Sequence, residues 1–145
     1  MNQESKLVVA YGRQLIKLEL EAARYDRSHP PHHAPVLNYV RSTPNRRWFC
    51  LLAVLATFDR EPITPSYITK ELGVSRNSVD TMIRECEEPE WIIVDRDDRG
   101  HRTLQSSPFM AECWLLYAKW TADKSNELGF GNIEGALRLI KSLPK

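Results

Sequence analysis

A chain of 145 residues with 42% hydrophobic content is long enough for one domain, or one domain with appended helices, and apolar enough to build a core. Its formal charge of only +1 excludes a global basic field as the means of holding nucleic acid. No apolar run reaches the ~18 residues of a membrane span, and polar residues follow Met1, so neither a span nor a signal peptide is expected and the setting read for the chain is cytoplasmic.

Residues 3 to 26 read as one long helix. Val8, Tyr11, Leu15, Leu18, Ala22 and Tyr25 recur at alternating helical spacings, a heptad-like seam that Leu7, Ile16 and Leu20 widen. Such a face needs a partner, either its own domain or a second subunit. Ser28 to Pro35, SHPPHHAP, reads as a break. Its three prolines disfavour helix and predict extended, solvent-exposed backbone. His29, His32 and His33 lie there without a nearby cysteine or a fixed face to aim their rings, so no metal site is expected. After the short apolar patch Val36 to Val40, Thr43-Pro44 starts a second helix by cap and first-position proline. It should run to about Asp59 with Trp48, Leu51, Leu52, Leu55 and Phe58 as its core face. Arg41, Arg46 and Arg47 at its start read either as a solvated basic turn or as phosphate contacts.

Thr64 to Gln105 carries the clearest signal. Thr64-Pro65 is another cap and proline, Ile68 and Leu72 face inward, and Gly73 supplies the left-handed residue that ends the helix. Val74 follows as a plug, and Ser75 caps the next helix, about 76–88, whose inward face is Val79, Met82, Ile83 and Cys86. Left on the outside are Arg76, Asn77, Ser78, Thr81 and Arg84, side chains suited to base edges and phosphates. Pro89 ends this helix. Trp91 to Val94 are strand formers, Arg96 to Gly100 a turn, and His101 to Gln105 a returning strand, which together make a ribbon over about 91–105. Pro108 to about Lys124 is helical, with Met110, Trp114, Tyr117 and Thr121 on one stripe and Phe109, Cys113 and Trp120 beside it. Dense aromatics of this kind pack cores and dimer faces more often than they line ligand pockets. Asn132 caps a last helix with Ile133, Leu137, Ile140 and Leu143 on its face.

ITKELGVSRNSVDTMIREC followed by WIIVDRDDRGHRTL resembles the winged helix-turn-helix of the MarR family of bacterial transcription regulators. Thr69 stands at the small-residue site of the first helix, Gly73 at the turn and Val79 at the buried site of the recognition helix. Asp97, Arg99 and Arg102 match the acidic-x-Arg and following Arg of the family's wing. The resemblance implies a mainly α fold with a small β-wing: an N-terminal dimerisation helix with its Pro/His-rich loop (1–40), a DNA-binding domain (41–107) and C-terminal dimerisation helices (108–145). In this family the terminal helices interlock between subunits, which makes Val8, Tyr11, Leu15 and Leu18 candidate dimer contacts. There are two departures. The family usually has glycine where Glu90 stands, which predicts a differently built helix end, and Ser106-Ser107-Pro108 replaces the usual approach to the next helix.

No nucleophile elbow, phosphate loop or zinc signature is present, so no enzyme and no cofactor is expected. Cys50, Cys86 and Cys113 are odd in number and lack a CxxC spacing, which points to reduced core thiols; a redox-sensing thiol is the alternative. The function read from the residues is a dimeric, sequence-specific regulator on double-stranded DNA, with a small-molecule effector as a further candidate partner and no membrane. Thr64, Ser66, Arg76, Asn77, Ser78, Thr81 and Arg84 would face DNA from the helices. Asp97, Arg99, His101 and Arg102 would face it from the wing, with the Asp97 carboxylate steadying the Arg99 side chain. The alternative is a winged-helix module that recruits a protein and no longer binds DNA. Residues 61–107 favour it, with six Lys/Arg against ten Asp/Glu, a balance of −4.

Overall fold

The computed structural model describes residues 2–28, 30–129, 138 and 140–142. In chain order the elements are α1 (Gln3–Ser28), a 3-10 turn (Pro31–His33), α2 (Ala34–Ser42), α3 (Pro44–Asp59), α4 (Pro65–Leu72), α5 (Arg76–Glu87), β1 (Ile92–Arg96), β2 (Arg102–Ser106) and α6 (Pro108–Leu128). The expected last helix, with Asn132, Ile133, Leu137 and Leu143, falls largely outside the described residues, as does His29. Among the described residues no helix is long and apolar enough to cross a membrane.

Residues 30–115 form one compact unit, taking in α2 and the first turns of α6 along with the 41–107 span read from sequence. Its core is Phe49, Ala53 and Val54 of α3, Ile68 and Leu72 of α4, Val79, Met82 and Ile83 of α5, Ile92 and Leu104 of the strands, and Met110 of α6. The strands pair antiparallel, Ile92 opposite Ser106 and Arg96 opposite Arg102. Ile63 extends the ribbon on its other side by a mutual pair of backbone hydrogen bonds with Leu104, at 2.9 and 2.8 Å. The Thr57 hydroxyl donates to the Ser106 carbonyl at 3.1 Å and lies 2.8 Å from the Ser106 hydroxyl, so the buried serine at the end of β2 is satisfied by α3.

Two expectations are corrected in this unit. From Pro31 on, SHPPHHAP is not extended: Pro31 opens the 3-10 turn and Pro35 sits in the first turn of α2. A proline there removes no N–H that the helix would use. His33 is only 3% exposed, and its ring meets Phe109 edge-on at 5.6 Å. The second correction concerns α3, which buries Phe49, Cys50, Ala53, Val54 and Ala56. Trp48, Leu55 and Phe58 are 45%, 53% and 44% exposed. The helix is apolar nearly all round, so periodicity does not select a face. The side with the alanines lets β2 and α2 approach closely.

The other unit joins residues 1–29 with 116–145. Here α1 buries Ala10 and Gln14, and the Gln14 amide donates to the Leu128 carbonyl at 2.9 Å. Arg13 donates to the Ser142 carbonyl at 2.6 Å. Tyr25 lies against Tyr117 and Trp120, with ring centroids 5.7 and 4.9 Å away. Of the seam read from sequence, Val8, Tyr11 and Leu15 are exposed and Leu18 is half-buried. The three cysteines, spread over the chain, are free and buried.

Candidate nucleic-acid interface

The helix-turn-helix is built by caps. Thr64 Oγ1 accepts from the Tyr67 N–H at 3.1 Å to start α4. Gly73 ends it at φ 66°, its N–H bonded to the Thr69 carbonyl at 2.9 Å. Ser75 Oγ then accepts from the Ser78 N–H at 3.1 Å to start α5. A glycine at this turn meets no Cβ penalty in the left-handed region. With α5 seated by Val79, Met82, Ile83 and Cys86, its outward face carries Arg76, Asn77, Ser78, Thr81 and Arg84, all exposed as the periodicity predicts. Thr81 returns its hydroxyl to the Asn77 carbonyl at 2.9 Å, and Ser66 accepts from Arg76 Nη1 at 3.3 Å, so α4 steadies the first arginine of α5.

The end of α5 corrects the departure read at Glu90. Glu90 itself adopts φ 63°, the conformation a glycine would take, and the Trp91 N–H closes on the Cys86 carbonyl at 2.9 Å. The helix end is therefore of the usual left-handed kind. A non-glycine residue holds it, at a strain of about 1–2 kcal/mol.

The wing is organised differently from the expectation. The Asp97 carboxylate does not hold the Arg99 guanidinium. Its Oδ1 accepts from the backbone N–H groups of His101 at 2.8 Å and Arg99 at 2.9 Å, and its Oδ2 lies 3.2 Å from His101 Nδ1. These bonds, that from the His101 N–H foremost, hold its pKa below the ordinary carboxylate value. Asp97 thus shapes the turn, with Gly100 at φ 79° closing it. Arg99 is exposed at the tip.

Arg102 is likewise not at the tip. Its Nη2 donates to Asp80 Oδ1 on α5 at 2.7 Å, and the same oxygen lies 3.5 Å from Arg76 Nε. Directly opposite Arg102 on the ribbon, Arg96 makes a two-pronged bridge to Glu87, both prongs at 3.0 Å. The hydrogen bond from Arg102 holds Asp80 below its ordinary pKa, and that from Arg96 does the same for Glu87. The recognition helix and wing are therefore clamped by Asp80–Arg102 and Glu87–Arg96, and sequence reasoning paired neither acid with the wing. A signal was present: Arg96 and Arg102 face each other across the ribbon, which is unfavourable for like charges unless acids intervene. Asp80 and Glu87, two helical turns apart, are those acids.

A third acid of α5 is matched as well. Glu85 accepts from Arg46 Nη2 at 2.7 Å and from the Tyr39 hydroxyl at 3.3 Å, while the Arg46 guanidinium lies 5.0 Å above the Tyr39 ring. Arg46 thus belongs to a packing network, and Arg47 beside it stays exposed. Three of the ten acids of residues 61–107, Asp80, Glu85 and Glu87, are thus turned toward arginines. Among the described residues no group of three His, Cys, Asp or Glu is placed to hold a metal ion.

No family model matches the sequence, and no curated protein matches it. Among solved structures the chain is similar to MepR, a transcription regulator of the Staphylococcus aureus multidrug efflux pump MepA. The TM-score is 0.55 over 96% of this chain and 91% of that one, at 9% identity. It is also similar to the transcriptional regulator SlyA (TM-score 0.44, 12% identity, 88% and 86% covered). A further similar structure is the adhesin competence repressor AdcR of Streptococcus pyogenes (TM-score 0.42, 13% identity, 75% and 83% covered). At 9% identity the likeness to MepR is one of backbone, and it agrees with the cap, turn and wing geometry: this chain has the winged helix-turn-helix fold of the MarR-type transcription regulators.

Proposed function

We propose that this protein is a homodimeric, sequence-specific DNA-binding transcription regulator. Helix Arg76–Glu87 enters the major groove, and the Arg99 tip of the wing meets the adjacent minor groove or backbone. The carrying observation is the sorting of charge on α5. Arg76, Asn77, Ser78, Thr81 and Arg84 stand exposed, while Asp80, Glu85 and Glu87 point to arginines. Arg paired bidentately with guanine and Asn with adenine are the common base contacts from such a helix. Thr64 and Ser66 at the start of α4 add hydroxyls beside a helix N-terminus, a place suited to a phosphate. Asp97 and His101 act by shaping the wing turn, and Arg102 by docking it.

The dimer rests on α1. Val8, Tyr11 and Leu15 are exposed apolar residues on a long terminal helix, beside half-buried Leu18, and a contiguous apolar face of this kind marks an interface. Replacing Leu15 and Leu18 together by glutamate should give monomers in light scattering; a soluble, folded dimer would move the interface elsewhere. Residues 1–40 and 108–145 would then serve assembly, and a small-molecule effector would act on the dimer.

The second reading, a winged helix that recruits a protein, is favoured by the −4 balance of residues 61–107 (six Lys/Arg, ten Asp/Glu). Mobility shifts against genomic fragments at several salt concentrations decide between them. A specific complex whose affinity falls linearly on a log–log salt plot supports DNA binding. No shift at 50 mM salt with a folded dimer leaves the recruiting module.

A further inference from the structure

One side of α3 is taken up by the core of its unit, where Phe49, Cys50, Ala53, Val54 and Ala56 are buried. The other side is apolar too. Trp48, Leu51, Leu52, Leu55 and Phe58 follow one another at one-turn spacing along about 15 Å of helix. Trp48, Leu55 and Phe58 are exposed, and Leu51 and Leu52 are half-buried. A helix apolar on every side is suited to burial on every side, so this stripe calls for a second surface. The charges at its ends indicate which one. Arg47 in the first turn of α3 and Asp59, its last residue, are both exposed. Each stands against the helix dipole, which favours acids in the first turn and bases in the last. Among the described residues neither makes an ion pair, and nor does Glu61 just beyond. Arg46, beside Arg47, is already held by Glu85. The first turn thus presents one uncommitted positive charge, while Asp59, Arg60 and Glu61 at the far end sum to −1.

The stripe is complementary to itself when reversed. Arg47 and Asp59, Trp48 and Phe58, and Leu51 and Leu55 stand six, five and two residues on either side of position 53. Two copies laid antiparallel about a two-fold axis at that level bring the Arg47 end of each to the acidic end of the other. Indole then lies at the level of phenyl and leucine at the level of leucine. The Arg47 end also meets the negative end of the second helix's dipole. We propose that the outer face of α3 is a self-association surface that pairs two copies of this chain antiparallel. It is a different surface from the α1 face, since α3 belongs to residues 30–115 and α1 to the other unit. The number of subunits rests on the dimer reading above: with an α1 dimer the product is a tetramer, and without it a dimer. One helix face per chain is a small interface, so this step is weak and concentration-dependent.

Sedimentation equilibrium of the full chain without DNA, from dilute to concentrated, tests this. Wild type should pass from dimer to tetramer, and Leu55→Arg should stop at dimer, a twofold loss of limiting mass. The Leu15→Glu, Leu18→Glu variant, monomeric when dilute, should reach dimer only when concentrated, and adding Leu55→Arg should keep it monomeric throughout. A wild-type mass that Leu55→Arg leaves unchanged at every concentration overturns the proposal, whether that mass is dimer or tetramer. A wild-type dimer that Leu55→Arg turns into monomer, while the α1 variant has no effect, supports the proposal and refutes the α1 reading. A wild type that stays monomeric refutes both. The charges supply a second arm. Arg47→Asp puts like charges together at both ends of the pair and should raise the dissociation constant of the concentration-dependent step about tenfold or more. Adding Asp59→Arg makes the ends unlike again and should bring it back to within about threefold of wild type. Loss without rescue overturns the antiparallel pairing. Both charge substitutions suit the helix dipole, so the fold is retained, which circular dichroism checks. Should Leu55→Arg fail to fold, the charge arm decides alone.

Discussion

Removing the Asp80 carboxylate tests the clamp between recognition helix and wing. Asp80 Oδ1 is shared by Arg102 at 2.7 Å and Arg76 at 3.5 Å, and the Asp80 side chain is 38% exposed. Ion pairs this open contribute about 0.2–1 kcal/mol each. Alanine regains about 0.6 kcal/mol of helix propensity at a mid-helix position. Asp80→Ala should therefore leave the melting temperature nearly unchanged, so that altered DNA binding does not reflect unfolding. What changes is the state of two guanidinium groups. Freed from Asp80, each can neutralise a phosphate, and each new contact steepens the log–log salt dependence by about 0.9. Two per subunit would steepen it by about 1.8, a further loss of roughly tenfold in affinity per subunit between 50 and 200 mM salt. At low salt, nonspecific affinity should rise. Discrimination should fall, because Arg76 no longer has a fixed bearing and one of the two ion pairs that dock the wing on the helix, Asp80–Arg102, is gone. Fluorescence anisotropy with a specific and a scrambled duplex at four salt concentrations reads both quantities. An unchanged slope and an unchanged specificity ratio would refute the claim that Asp80 governs these arginines.

Glu90→Gly should stabilise the protein by about 0.5–1 kcal/mol in chemical denaturation, since it relieves the left-handed strain at φ 63° against a smaller entropic cost of glycine in the unfolded chain. Gly73→Ala should do the reverse by about 1 kcal/mol, because a Cβ there meets no atom within 4 Å and only the φ of 66° opposes it. Arg99→Ala should leave folding intact, weaken specific and nonspecific DNA alike and lower the salt slope by about one unit per subunit, whereas Arg76→Ala should relax preference at particular base pairs. The pH dependence has a definite sign. Asp80 and Glu87 have lowered pKa values in the folded state, so their contribution is complete above about pH 4–5 and disappears as the pH falls through the folded values. The melting-temperature difference between wild type and Glu87→Gln should accordingly be present at pH 6 and absent near pH 2.

The local elements were legible because each carries its own signal in a few adjacent residues. Thr64-Pro65, Gly73 and Ser75 place the ends of α4 and α5 by cap chemistry, and Val79, Met82, Ile83 and Cys86 set the buried face of α5, leaving Arg76, Asn77, Ser78, Thr81 and Arg84 outside. Tertiary structure alone decided which face of α3 is buried, since a helix apolar on nearly every side is oriented by what packs on it, here the close approach that Ala53 and Ala56 permit. It alone brought Asp80 to Arg102 and Glu87 to Arg96, pairings between a helix and a ribbon whose register depends on how both settle on the core. It alone turned Asp97 toward the backbone N–H groups of His101 and Arg99: neighbours in sequence offer a carboxylate several donors, and the turn made the backbone ones nearest. Spacing names the candidates for such contacts, and the three-dimensional path of the chain selects among them.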